Sequence, residues 1–290
     1  MWNKITKEYL DYIRNEKKLS QNTIDAYISD INQLYNYACE NNINNFLDIN
    51  KTNIITYLLF LQRSGKSTST ISRNLASVRC LFQYLLNKNI IKEDPTLNLK
   101  SPKKEKKYPS ILSIDEIDKL LNKPDINNWK GARDKAILEL ICATGLRVSE
   151  IINLNIKDLD INNNHIKIDS DNNIRIIPID KQVTQSIIFY INGYRTSSLN
   201  TDPLFINYNN TRLTRQGFWK IIKHYSRLTS IEKKITPQNL RNSFAVHQIN
   251  NGTDIFTLQE IMGHIDISTT QNYSIIANKK GLYGNIKHKT

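Results

Sequence analysis

The chain has 290 residues and a formal net charge of +13, from 40 lysines and arginines against 27 aspartates and glutamates. This length is enough for two domains, and the basic balance favours a nucleic-acid partner, because each phosphate contact releases counterions. The three cysteines lie far apart without metal-ligand spacing, which favours reduced thiols in a cytoplasmic protein. No apolar run is long enough to cross a bilayer, and residues 1–18 lack the apolar segment of a signal peptide.

Residues 1–98 carry apolar side chains at helical spacing. Ser20 is placed to cap a second helix and Ser67 to begin a fourth, with a third between them near residues 54–61. We therefore predict a helical first domain of four or five helices. Lys66 and Arg73, near the start of the fourth helix, are candidates for phosphate contact, although they also suit an ordinary solvated face.

Residues 99–112 break the helical pattern with two prolines and a cluster of lysines. This composition predicts a basic linker, either a solvated connector or a segment that crosses a DNA backbone. A second domain then spans residues 113–290. It opens on Ser113, a helix-start signal, and its first long buried helix ends at Gly145.

Arg147 follows Gly145 and Leu146 and begins the helix VSEIINL. A helix N-terminus favours phosphate, and a guanidinium binds it through two parallel hydrogen bonds. Glu150, about one turn later, is placed to orient Arg147. The sequence therefore suggests a phosphate contact here, with a surface salt bridge as the alternative.

Farther along, residues 165–179 alternate between apolar and polar side chains, which predicts a β-hairpin with a polar turn. Thr214 is a predicted helix cap that projects Arg215 and Gln216 from the first turn, where they suit guanine and adenine edges in a major groove. Behind them, Phe218, Trp219 and Ile222 are predicted to lie in the core.

The segment TPQNLRNSFAVHQINNGTDIFTLQEIMGHIDISTTQNY, residues 236–273, contains three chemically useful side chains in order. Arg241 lies on a helix that Thr236 caps, His264 follows a helix-ending glycine, and Tyr273 lies on a final helix for which Ser268 is the predicted cap. Two arginines and a histidine can hold a phosphodiester, and a tyrosine hydroxyl can attack it once that charge is neutralised.

These residues, and above all LQEIMGHIDISTTQNY, resemble the tyrosine recombinase family, close to its Xer-type members, over nearly the whole chain. The resemblance implies a mainly α fold with a small antiparallel β-sheet, in which an N-terminal helical core-binding (SAM-like) domain precedes the catalytic domain. It implies catalytic Arg147, Arg241, His264 and Tyr273, a 3′-phosphotyrosyl link, and neither metal nor cofactor. The implied partners are double-stranded DNA and further protomers, as a tetrameric synapse or with a second recombinase.

Three positions depart from the family pattern. Gln238 occupies the place of a histidine, and Ser170 that of a hairpin lysine that protonates the leaving 5′-oxygen. Asn242 also replaces a frequent second histidine. Lys167 could take the lysine's place only after a register slip, because three residues along a strand it points to the opposite face.

Three functions follow from these residues. The first is a recombinase that is slow or assisted by a partner, and the second is a DNA-binding relative that has lost strand cleavage. The third is a type IB topoisomerase, which the Xer-like first domain disfavours. After Tyr273 the family passes a C-terminal helix to a neighbouring protomer, whereas the basic residues here equally suit a disordered DNA-binding tail.

Overall fold

A computed structural model describes residues 2–43, 45–102, 109–170, 173–195 and 202–279. The chain divides into two compact units, Met1–Lys106 and Lys107–Thr290. Both are mainly helical, and the second also contains the small antiparallel sheet, so the predicted fold class is confirmed. Within the described ranges, no helix combines the length and apolar character needed to span a membrane. The predicted C-terminal tail falls mostly on residues 280–290, outside the described ones.

The first unit is built from four α-helices in the part of it that the structure describes. They are α1 (Trp2–Asn15), α2 (Gln21–Glu40), α3 (Lys51–Arg63) and α4 (Thr68–Asn87). The predicted caps are confirmed, because Ser20 accepts a bond from the Thr23 amide (3.4 Å) and Ser67 one from the Thr70 amide (3.2 Å). One face of each helix buries its apolar side chains in a common core.

A polar cluster ties α2 to α4 inside this core. The carboxylate of Asp30 is buried, and it accepts two bonds from Arg73, from Nε (3.0 Å) and from Nη2 (2.7 Å). The Ser77 hydroxyl donates a third (3.0 Å). These bonds satisfy a charge that would otherwise be costly to bury. Arg73, predicted as a phosphate contact, thus has a structural role, while its side chain remains half exposed.

The second unit surrounds its own apolar core with eight described helices and three strands. They are α5 (Ile114–Leu121), α6 (Trp129–Thr144), α7 (Val148–Asn153), β1 (Leu159–Asp160), β2 (His165–Ser170), β3 (Asn173–Pro178), α8 (Lys181–Tyr194), α9 (Arg215–Arg227), α10 (Pro237–Asn250), α11 (Ile255–Met262) and α12 (Ile267–Lys279). The caps predicted at Ser113, Thr214 and Thr236 are confirmed, since each side chain accepts an amide of the first turn. Gly145 and Gly263 end α6 and α11 with φ of +60°, as expected for glycine at a helix end.

The sheet has the strand order β1-β2-β3, and all its pairs are antiparallel. The hairpin is confirmed, whereas β1, only two residues long, was not predicted as a separate strand. Ile168 pairs with Arg175 on the buried face, and Lys167 pairs with Ile176 on the exposed face. Lys167 therefore points away from Arg175, because side chains alternate along a strand.

Two smaller predictions were wrong. Ser268 does not cap the last helix, because α12 begins at Ile267 and the carboxylate of Asp266 accepts the Ser268 amide (2.8 Å). Trp219 is 47% exposed, although Phe218 and Ile222 are buried as expected. Phe218 and Ile222 are four residues apart and share the buried side of α9, whereas Trp219 points about 100° away from its neighbour Phe218.

Candidate active site

Three guanidinium groups converge on the last turn of α11. Three successive carbonyl oxygens there lack partners within the helix, and they form the negative end of its dipole. Each oxygen accepts a bond from one arginine. The bonds run from Arg175 Nη1 to Ile261 (2.7 Å), from Arg241 Nη2 to Met262 (2.7 Å) and from Arg147 Nη2 to Gly263 (2.6 Å). The end of this helix thus positions all three arginines.

Glu150 is the buried carboxylate of the cluster. Its oxygens accept the backbone amide of Arg147 (2.7 Å), Nη1 of the same arginine (2.9 Å) and Nη2 of Arg175 (2.5 Å). The role predicted for Glu150, to orient Arg147, is therefore present. One carboxylate against three guanidinium groups leaves the cluster positive, so it favours an anion. Arg147 is the most accessible, with a side chain 41% exposed.

Arg241 lies deeper in the cluster. It is buried on α10, and its second terminal nitrogen donates to the carbonyl of Gly145, next to the N-terminus of α7. Burial, followed by the positive charge of Arg147, lowers the pKa of Arg241 to about 10. The group is still protonated at neutral pH, so it remains a cation in the site.

His264 is neutral in this arrangement. Its Nε2 lies 2.9 Å from Nη2 of Arg241, which can only donate, and its Nδ1 lies 2.9 Å from the hydroxyl of Thr270. The hydrogen of the ring is therefore on Nδ1. Burial, together with the charges of Arg241 and Arg147, lowers the pKa of His264 to about 4.

Tyr273 lies on α12 against the same site. Its ring stacks on that of His264, with 6.1 Å between centroids and 22° between planes. Its hydroxyl is buried and donates to Oδ1 of Asn242 (3.0 Å). Burial raises the pKa of Tyr273 above its ordinary value, although the charges of Arg241 and Arg147 oppose that rise. The phenol is thus protonated and lies beside the arginine cluster.

Four predicted side chains therefore come together: Arg147, Arg241, His264 and Tyr273. Gln238 is exposed on α10 and donates Nε2 to Oδ1 of Asn242 (2.8 Å). The backbone of Ser170 pairs with that of Asn173 at the tip of the hairpin, and its side chain lies outside the described ones. Lys66 and Arg73 belong to the first unit, and Thr214, Arg215 and Gln216 lie exposed at the start of α9.

Sequence reasoning missed three members of the site. Arg175 was not singled out as a site residue, although it is the charged residue on the buried face of β3, a signal that the alternation already contained. Thr270 had no signal beyond its place between His264 and Tyr273. Asn242 was noted as a departure from the family, but its contact with Tyr273 depends on the packing of α12 against α10.

Comparison with known proteins agrees with this geometry. Residues 110–280 match the phage integrase family, and residues 6–89 match the N-terminal SAM-like domain of phage integrases. The chain is 40% identical to tyrosine recombinase XerD of Oceanobacillus iheyensis and 39% identical to that of Staphylococcus epidermidis, and each alignment covers 96% of both proteins.

Solved structures show the same fold. XerA recombinase is 25% identical, with a TM-score of 0.54 over 98% of this chain and 99% of that one. XerH site-specific recombinase, in a post-cleavage complex with its palindromic difH substrate, is 20% identical, with a TM-score of 0.77 over 95% of this chain and 82% of that one.

Proposed function

The chain belongs to the phage integrase family of tyrosine recombinases, and we propose that it breaks and rejoins DNA through Tyr273. It is a site-specific DNA recombinase, as its relatives at about 40% identity are. One observation carries the role of Tyr273: the ring of this tyrosine stacks on His264, which bonds Arg241 in the arginine cluster. A nucleophile and an anion site thus lie side by side.

Substrate binding begins at Arg147, the exposed member of the cluster. A DNA phosphodiester there faces a positive pocket, and the non-bridging oxygens take hydrogen bonds from the guanidinium groups. His264 then shifts its hydrogen to Nε2 and donates it to the phosphate, while the hydroxyl of Thr270 turns to donate to Nδ1. The charge of the phosphate is offset before attack, which a phenol of raised pKa requires.

In the cleavage step, the phenolic oxygen of Tyr273 bonds to phosphorus as the bond from phosphorus to the 5′-oxygen breaks. The phenol gives its proton to water and the leaving oxygen takes one from water, so the products are a 3′-phosphotyrosyl link and a 5′-hydroxyl. Attack by the 5′-hydroxyl of a partner strand reverses the chemistry and joins the new strands. Ser170 and Gln238 cannot supply the leaving oxygen with a proton at neutral pH, so we expect slow or partner-assisted cleavage.

The substrate is double-stranded DNA, and several protomers act on it together, since XerH and other structural neighbours are recombinases bound to DNA. We assign residues 1–98 to core binding, 99–112 to a basic linker and 113–290 to catalysis. Lys66, Arg73, Thr214, Arg215 and Gln216 are the proposed DNA contacts. We place the protein in the cytoplasm, where its reduced cysteines and a DNA substrate are compatible.

Covalent trapping tests the role of Tyr273. The cognate site is first selected from random duplexes and then nicked just beyond the scissile phosphate, so that the cleaved strand diffuses away. We expect a protein–DNA adduct on a denaturing gel with the wild type and with the control Tyr208→Phe, an exposed tyrosine, but none with Tyr273→Phe. Tight binding by the wild type without any adduct would refute autonomous cleavage.

A further inference from the structure

Asn242 lies between the nucleophile and an exposed side chain. It follows Arg241 on α10 and is 6% exposed. Its Oδ1 is 3.0 Å from the hydroxyl of Tyr273 and 2.8 Å from Nε2 of Gln238. An amide oxygen has two lone pairs, so these two donors use both. With Nε2 of Gln238 toward Asn242, the oxygen of the Asn242 amide faces Tyr273.

We propose that Asn242 is the positioning residue of the nucleophile, and that Gln238 positions Asn242. The inference rests on the proposed function, in which Tyr273 attacks DNA. Asn242 holds the phenol at α10, where the ring of Tyr273 also stacks on His264, the hydrogen-bond partner of Arg241 in the proposed phosphate site. Attack requires a reacting oxygen held close to its target, and a displacement of about 1 Å can cost about 10²-fold in rate.

The contact is suited to hold the phenol and unsuited to deprotonate it. A neutral amide oxygen accepts a hydrogen bond but takes no proton at the pH of the cell. The ring nitrogens of His264 are engaged elsewhere, with Arg241 and Thr270, so neither holds the hydroxyl. Asn242 is thus the hydrogen-bond partner that fixes the Tyr273 hydroxyl among the described residues.

This arrangement gives Gln238 a role of its own, different from that of the family histidine whose place it takes. Its amide spans from the solvent-exposed face of α10 to the buried oxygen of Asn242, one helical turn away. Gln238 and Asn242, the two residues of α10 that depart from the family pattern, are therefore joined by one hydrogen bond. Replacing Gln238 alone removes the support of Asn242, and we expect a smaller loss of cleavage than when Asn242 itself is replaced.

The test compares two substitutions at one position, in single-turnover adduct formation on the nicked site. Asn242→Leu removes the acceptor at similar volume, and we expect the rate to fall about 10- to 100-fold with unchanged DNA affinity. Asn242→Asp keeps an acceptor for both donors, and we expect it to stay within about tenfold of wild type. Asn250→Leu, at the far end of α10, is the matched control. Equal rates in the Leu variant and the wild type would overturn the inference.

A second measurement does not depend on cleavage. Tyrosine labelled with ¹³C at Cζ reports phenol ionisation by NMR, and Tyr273→Phe assigns the resonance. The charges that face this phenol are those of Arg241 and Arg147, beside the neutral ring of His264. A carboxylate at position 242 disfavours the phenolate, so Tyr273 should titrate at higher pH in Asn242→Asp than in Asn242→Leu.

Identical titrations in those two variants would contradict the contact itself. If the wild type forms no adduct while the titrations differ, the proposed function fails and the positioning contact stands. Thermal unfolding of each variant checks that it folds, and Asn242→Ala replaces Asn242→Leu if the larger apolar side chain does not fit.

Discussion

At the scale of single residues, the site separates groups of fixed charge from groups that can exchange protons. Arg147, Arg175 and Arg241 remain cations, whereas His264 beside them is neutral because burial and their charges disfavour its protonated form. A neutral imidazole can serve as donor or acceptor according to its tautomer. His264 therefore contributes a movable hydrogen bond to the site rather than a fourth positive charge.

We predict that His264 in the free protein titrates near pH 4, as followed by NMR of its ring. Between about 6.5, the ordinary histidine value, and 4, the unfolded chain binds a proton that the folded chain does not. The contribution of His264 to the free energy of unfolding is therefore fully present above pH 6.5 and is lost as the pH falls toward 4. Allowing for the half-exposed ring, we expect a loss of about 1 kcal/mol between pH 7 and pH 5 that is absent in His264→Asn. A midpoint near 6.5 would contradict the neutral assignment.

At the scale of elements, the end of α11 is the part on which the site depends most. Gly263 has φ of +60°, and a Cβ there would overlap the guanidinium of Arg175. The glycine thus serves two purposes: it ends the helix, and it leaves room for an arginine against the last carbonyls. The same short turn leads directly to His264.

Gly263→Ala should therefore disturb the site more than its backbone strain alone explains. Gly252→Ala is the matched control, because φ there is +88° and a Cβ meets open space. We expect the control to cost about 1–2 kcal/mol in stability, and Gly263→Ala to cost more and to lower adduct formation about 10²-fold. Thermal unfolding and the nicked-site assay measure both effects. Equal behaviour of the two variants would show that the close approach to Arg175 is unimportant.

The ends of helices were predictable where hydrogen bonds between near neighbours in the sequence determine them. Ser20, Ser67, Thr214 and Gly145 end or begin helices through bonds to their own neighbours, so the sequence suffices. The contact of Asn242 with Tyr273 and that of Arg175 with α11 join residues far apart in the chain, and only the fold brings them together. The four side chains proposed for catalysis could be singled out because the order of their residue types is specific, although their hydrogen bonds were not foreseeable.

At the scale of the whole molecule, a net charge of +13 accompanies the arginine cluster and the proposed nucleophile, Tyr273. The function that the family supplies does not require every family residue in its usual place. Position 238 contributes to holding Tyr273, and position 170 at the hairpin tip carries a serine. In the proposed mechanism, the molecule therefore has the groups for binding and attack and lacks one that protonates the leaving oxygen.

The most direct test of this deficiency replaces the bridging 5′-oxygen of the cognate site with sulfur, because a thiolate leaves without a proton donor. We predict that the wild type forms its Tyr273 adduct about 10²–10⁴ times faster on the sulfur substrate than on the oxygen one. Ser170→Lys should raise the oxygen rate alone, and Asp169→Lys, on the opposite face of β2, should not. Equal wild-type rates on the two substrates would contradict the account, because another group would then supply the proton.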